Sequence, residues 1–392
     1  MAQRISQQNC DRNSAACIIQ LVLMAMRRLG TVPSHEEQAQ VRIAISAGSQ
    51  GDVLMRLLDL VAQCREPSVI TGPALGAPPI KVSGPSDFAH ILVGCPLRFV
   101  IADDLTRASA ELAFADGDRL ASCLDLLRFP APLLWVEWSD AVHQQVICES
   151  GIVSERDPDA VGRRVGVLLR TSLTGRSATA RTFWSVAAAD GQCEARMSPL
   201  ETYIELDGGF EPTKWDVDAM LRGQYAGVTH AGDAGVAALL ERVRFQFDEQ
   251  WLNYYRAAAP DLNGRQTIAR ASLAAVASDV PLLLAFFLLL NAHGATRRMP
   301  VARGILNRKR LERDRAPLLD HVEVRASLPE LSAAQEEVAT VGSRRAPRLH
   351  HVRGHLVRRE DRVFWRIPHL RGSALRGVVR SRTVCLSFGR AN

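Results

Sequence analysis

Lysine is almost missing from this chain. Only Lys81, Lys214 and Lys309 occur among 48 basic side chains, so nearly all of the positive charge is arginine. Such an excess accompanies GC-rich coding and is not in itself a nucleic-acid signature; only its clustering needs a cause. Paired cysteines are missing as well. Cys10, Cys17, Cys64, Cys95, Cys123, Cys148, Cys193 and Cys385 are scattered, with no C-x-x-C pair and no repeated spacing to histidine. That argues against a zinc ribbon or finger. Unpaired cysteine in apolar surroundings behaves as a small hydrophobe, and a reduced, cytoplasmic setting is expected. No apolar run is long enough for a membrane span: the strongest, Val280–Leu290, has eleven residues where roughly 20 are needed. A buried helix and no membrane partner are expected. Met1–Asp11 is polar, and Ala15–Met26 lacks the basic lead and cleavage site of a secretory leader.

The common chemical signatures are absent too. There is no G-x-x-x-x-G-K-[ST] loop, no G-x-G-x-x-G after a strand, no G-x-S-x-G elbow and no H-E-x-x-H. Asp116-Gly-Asp118 and Asp207-Gly-Gly209 lack the ligand ladder of a calcium loop and read as turns. No cofactor and no metal are expected. Glu137 and Asp140 have acid–base side chains, but the pattern around them reads equally as solvated charge at a strand edge.

What remains is an α+β pattern. Residues 1–70 read as a helical segment, with apolar Ala15–Arg28, a capping box at Ser34-x-x-Glu37 and a second helix through Leu54, Leu57, Leu58 and Val61. Residues 87–296 read as an α+β core. Within it, Ile91–Ile101 looks extended and Ala108–Leu127 helical. Leu133–Trp138, Val165–Arg170, Arg181–Val186 and Thr202–Leu206 look like strands of a central antiparallel sheet with flanking helices. Val236, Leu239, Leu240, Val243 and Phe247 form an apolar stripe at helical spacing. Arg265–Ala277 and Val280–Leu290 continue the helices. Residues 297–328 form a basic connector ending in a strand near Leu318–Val324, 329–348 a linker, and 349–392 a small basic C-terminal β unit.

The charge is split along the chain. Val341–Asn392 holds thirteen arginines against Glu360 and Asp361, a net of +11 in a chain whose total is +6, leaving residues 1–340 near −5. Upstream, Arg297–Arg315 adds seven arginines and Lys309 against Glu312 and Asp314. If Glu360-Asp361 is a two-residue turn, Leu356 pairs with Trp365, Gly354 with Ile367 and Val352 with His369 on one largely apolar face. Val357–Phe364, His355–Arg366 and Arg353–Pro368 then lie on the other, with His351 and Arg359. A one-residue slip would exchange the faces. Val378–Phe388 reads as a third strand.

Arginine's planar fork suits phosphate, which makes Arg353, Arg358, Arg359, Arg366 and Arg371, with Arg308 and Arg310, the candidate contacts to DNA or RNA. Phe364 can stack on a base, worth roughly 1–3 kcal/mol. Two other readings compete. The arginines can simply solvate the tail, or dock it on a protein partner, a second copy or the acidic body. His351 or His355 with Arg353 can also serve metal-independent RNA cleavage. His351, His355 and His369 lack a cysteine or acidic co-ligand, so no metal site is expected there.

Leu306-Asn-Arg308, Pro317-Leu-Leu-Asp-His321, Arg353-Gly-His355 and Phe364-Trp-Arg-Ile-Pro-His369, with Pro130–Glu137 upstream, resemble uncharacterised proteins of phages, prophages and other bacterial mobile elements. The resemblance spans about a quarter of the chain. It implies a bacterial or phage origin and a cytoplasmic setting, and it carries over no catalytic residue. The combined expectation is a non-enzymatic nucleic-acid-binding protein acting through its Arg/His-rich C-terminal β unit.

Overall fold

The computed structural model describes residues 56–70, 79–152, 157, 160–187, 193–208, 217–227, 234–259, 261–327, 348–352, 355–360, 362–366, 369–371 and 373–378. The Ala15–Arg28 helix, the Ser34 capping box, most of the 329–348 linker, Arg353, Gly354, Ile367 and Pro368 lie outside the described residues.

In chain order the first elements are α1 (Leu57–Gln63), β1 (Val69–Ile70), β2 (Ile80–Lys81), α2 (Pro85–Val93), β3 (Leu97–Ile101), α3 (Asp103–Ala115) and α4 (Gly117–Ala121). Then come β4 (Leu133–Ser139), α5 (Asp140–Glu149), β5 (Arg164–Thr171), β6 (Ser177–Ala187) and β7 (Cys193–Glu205). They are followed by α6 (Val217–Leu221), α7 (Ala234–Leu240), β8 (Val243–Phe247), α8 (Glu249–Ala258), α9 (Leu262–Ala277) and α10 (Asp279–Asn291). The chain continues through β9 (Thr296–Val301), α11 (Gly304–Leu311) and β10 (His321–Ala326). It ends in β11 (Arg348–Val352), β12 (His355–Arg359), β13 (Arg362–Arg366), β14 (His369–Arg371) and β15 (Ser373–Val378).

The expected α+β class is present, with one difference in the sheet. Eight strands run in the order β8-β7-β6-β5-β4-β3-β10-β9. From β4 to β8 the neighbours are antiparallel, as expected. On the other side β3 is parallel to both β4 and β10, so the sheet is mixed. Parallel neighbours need a crossover, and α3 with α4 supplies it between β3 and β4. The sequence hid this unit because Ile91–Ile101 reads as one apolar run. Its first residues belong to α2, started by Pro85 and by the Gly84 N–H donating to the Asp87 carboxylate at 2.8 Å.

Two further differences have simple causes. Val243 and Phe247 sit on a strand, not on the α7 helix. Val243, Phe245 and Phe247 are all buried, and a spacing of four suits one face of a strand as well as of a helix. The 297–328 segment is no connector: β9 and β10 complete the central sheet, with β10 between β3 and β9.

Each sheet face carries its own core. On the larger, Phe99, Ile101, Leu134, Val136 and Trp138 pack with α3, α5 and α10. Leu262–Asn291 has the length and composition to cross a bilayer, yet 78% of its apolar window is buried inside the body. Each buried Leu or Phe there contributes about 1.5–3 kcal/mol of transfer free energy. On the other face, Val100, Trp135, Leu168 and Phe183 pack beneath α1 and α2. The Trp135 indole occupies the space above Gly166 that a Cβ would fill, so that position accepts no side chain.

Candidate nucleic-acid interface

The C-terminal ribbon has the register expected from a Glu360-Asp361 turn. His355 faces Arg366, Leu356 faces Trp365 and Val357 faces Phe364. Val352 faces His369 in the adjoining pair β11–β14, so both ladders share one register. Glu360 has φ of +52°, the left-handed region that a two-residue hairpin turn uses. A further strand, β15 at Ser373–Val378, runs parallel to β11, and the strand expected over Val378–Phe388 is described only at Val378. Residues 379–388 lie outside the described residues.

Alternation divides the β12–β13 hairpin into two faces. Leu356, Arg358, Val363 and Trp365 share one; His355, Val357, Arg359, Arg362, Phe364 and Arg366 share the other. Leu356 and Val363 are buried in the large core, with Trp365 packed against it. The His293 N–H donates to the Val363 carbonyl at 3.1 Å, tying the hairpin to the chain just beyond α10. Arg358 forks onto Asp125 at 2.9 and 2.6 Å and also donates to the Ser122 carbonyl at 2.6 Å. The guanidinium read as a phosphate contact thus meets the body of its own chain. Arg359, Arg362 and Arg366 are exposed on the opposite face, where His355 and Phe364 are half-buried. Of the catalytic candidates, His355 lies across from Arg366. His351 is placed by its backbone pairing to Leu370 alone, and Arg371 by its pairing to His350.

The second basic cluster stands at the other end of the same edge. From His293 the chain enters β9, the outermost strand, with Arg297 and Arg298 exposed. It then enters α11, which buries no residue and carries Arg308, Lys309 and Arg310 in its last turn. The helix is held by the motif residues. The Asn307 side chain donates to the Leu318 carbonyl and accepts from the Leu318 N–H, both at 2.8 Å. The Asp320 carboxylate accepts from the Arg303 N–H at 2.6 Å, and Asp59 accepts from the Leu319 N–H at 2.7 Å. Arg310 uses its Nε on the Ala316 carbonyl at 2.8 Å. The L-N-R and P-L-L-D-H segments are therefore one staple that fixes a basic helix.

Glu137 and Asp140 are not solvated edge charges: both are buried. Glu137 accepts from the Leu57 and Leu58 N–H groups at 3.2 and 2.9 Å, from Trp135 Nε1 at 3.4 Å and from Arg164. It caps α1 from a distant strand, because Arg56 at the N-cap offers no acceptor. Beside it, burial raises the Asp59 carboxyl to about 6 and lowers His321. On the other face, Arg163 bridges Asp140 and Asp157 at 2.5 and 2.7 Å. His143 lies 3.5 Å from Asp279 and 3.9 Å from Asp140. Desolvation lowers His143 to about 3 and raises Asp140 and Asp279. A single acid inside an otherwise apolar strand, as in Leu133–Trp138, was the signal that Glu137 is paired and buried. Among the described residues no group of three or more His, Cys, Asp or Glu is placed to hold a metal ion.

Comparison of the chain with protein-family models, curated proteins and solved structures finds no match.

Proposed function

We propose that this chain is a non-enzymatic nucleic-acid-binding protein of a phage or bacterial mobile element, gripping phosphate along its basic edge. The observation that carries the reading is the placement of two arginine clusters at the two ends of one edge strand. The hairpin's apolar face is spent on the body, which leaves Arg359, Arg362 and Arg366 outward. At the far end the Asn307 staple holds Arg308, Lys309 and Arg310 on an exposed helix. The guanidinium fork matches phosphate, as it does carboxylate, with paired hydrogen bonds. The resemblance in the L-N-R, P-L-L-D-H and F-W-R-I-P-H segments supports the mobile-element origin.

The test is salt-dependent binding of full-length protein to DNA and RNA. Affinity should fall with salt, with a log–log slope of about −0.9 per phosphate contact on duplex and −0.7 on single strands. Arg359→Ala with Arg366→Ala, and separately Arg308→Ala with Arg310→Ala, should each flatten that slope. A parent slope near zero, or slopes unchanged in both variants, would remove the reading.

A second reading is favoured by the Arg358–Asp125 fork: the tail as a docking element, inside this chain or toward a protein partner. It expects assemblies that survive nuclease treatment in light scattering, and nucleic-acid binding that ignores the outward arginines.

A further inference from the structure

We infer that the cavity between the hairpin and the end of α10 receives one unstacked base of a single-stranded nucleic acid. The inference rests on the proposed function and narrows its ligand. The cavity measures about 390 Å³, within the usual size range of small-ligand pockets. Its lining is mixed: Leu126, Leu288 and Val363 contribute apolar atoms, and Asn291, His293 and Arg362 polar ones. Phe364 forms one side, with the His293 ring edge-on to it at 6.3 Å between centroids. Asn291 and Arg362 stand at its polar mouth, both exposed.

Each part suits one portion of a nucleotide. A base has an apolar π-face that a phenyl ring accepts, and a polar edge that needs donors and acceptors. The Asn291 amide offers both. One of its N–H groups is given to the Arg128 carbonyl at 3.0 Å, which orients the remaining amide atoms. Arg362, opposite Arg359 across the strand pair, lies where the phosphate of the same nucleotide leaves the cavity. The His293–Val363 hydrogen bond and the Arg358–Asp125 fork tie the hairpin side of the cavity to the body. A base in a duplex is stacked and paired and cannot enter; one in a single strand can. A purely electrostatic surface needs no aromatic side.

The experiment uses full-length protein and fluorescence anisotropy with four labelled probes of equal length. They are a mixed-sequence single strand, as DNA and as RNA, its duplex, and an abasic single strand with the same phosphates. The base-bearing single strand should bind about five- to 150-fold tighter than the abasic strand, the range one aromatic–base stack supplies. Phe364→Ala should abolish that ratio, and Phe364→Tyr should restore it. Leu126→Trp narrows the cavity from the body side, removes no charge, and should act like Phe364→Ala. Equal affinity for base-bearing and abasic strands, duplex preference, or a ratio that survives both substitutions would overturn the base pocket while phosphate binding stands. Failure to bind any probe would overturn both readings.

Discussion

Glu137 holds two backbone N–H groups, an indole and a guanidinium in the interior. Glu137→Ala leaves Arg164 and the start of α1 without their acceptor, and is expected to cost about 3–5 kcal/mol. Glu137→Gln keeps one acceptor oxygen and should cost less. Urea denaturation midpoints check both; an unchanged midpoint in the alanine variant would count against the capping role. The titrating groups give a second prediction. His143 drops from 6.5 to about 3 by burial, so its stabilisation is present above pH 6.5 and is lost as pH falls toward 3. Asp59 has the opposite sign. Raised from 3.8 to about 6, it stabilises fully below 3.8 and loses that contribution as pH rises through 6. Asp140 and Asp279, which face His143, are raised as well and share the sign of Asp59. Between pH 6.5 and 4, His143→Gln should lose less stability than the parent, and Asp59→Asn should lose more, when unfolding is measured across that range. Of these roles only the burial of Glu137 had a sequence signal, the lone acid of an apolar strand; the partners of all these groups were not legible. A pattern shows that an acid lies on a strand, but its burial depends on what packs above.

Elements carried more of their own information. The C-terminal hairpin was legible because a two-residue turn fixes the partner of every residue behind it, from Leu356–Trp365 back to Val352–His369. Which arginines remain outward was only half legible. Arg358 shares its face with Leu356 and Val363, and only the position of Asp125 turns it toward the body. The α11 helix shows the reverse case. Its sequence looks like a solvated basic run, and its placement depends on Asn307 reaching Leu318. Asn307→Ala leaves a backbone N–H and a carbonyl without partners and is expected to cost about 1–3 kcal/mol of local stability. Faster hydrogen exchange over 304–320, with the β4–β7 strands unchanged, checks it. Nucleic-acid affinity should fall with it although no charge is removed. Unchanged exchange would mean that the basic helix is held by something else.

At the scale of the molecule the boundaries move. The eight-stranded sheet is complete at Ala326, and β9 and β10 belong to it. A chain ending after Ser327 should therefore keep its fold, judged by circular dichroism and a monodisperse elution profile. It should lose affinity for nucleic acid along with the hairpin. A chain ending at residue 296 removes both strands, uncovers the β3 edge and exposes the core around Val324, which is fully buried. It should aggregate. Equal behaviour of the two truncations would contradict the parallel β3–β10 pairing.

The sequence by itself determined the α+β class, the antiparallel half of the sheet, the buried apolar helix at Val280–Leu290 and the hairpin register. All four follow from periodicities and turn chemistry that act within a few residues. Only the tertiary structure decided that β10 inserts beside β3, that Glu137 and Asp140 are interior, and that Arg358 meets Asp125. Only the tertiary structure also opens a cavity where the hairpin meets α10. These features join residues far apart along the chain, and the contacts that fix them exist only once the layers have packed.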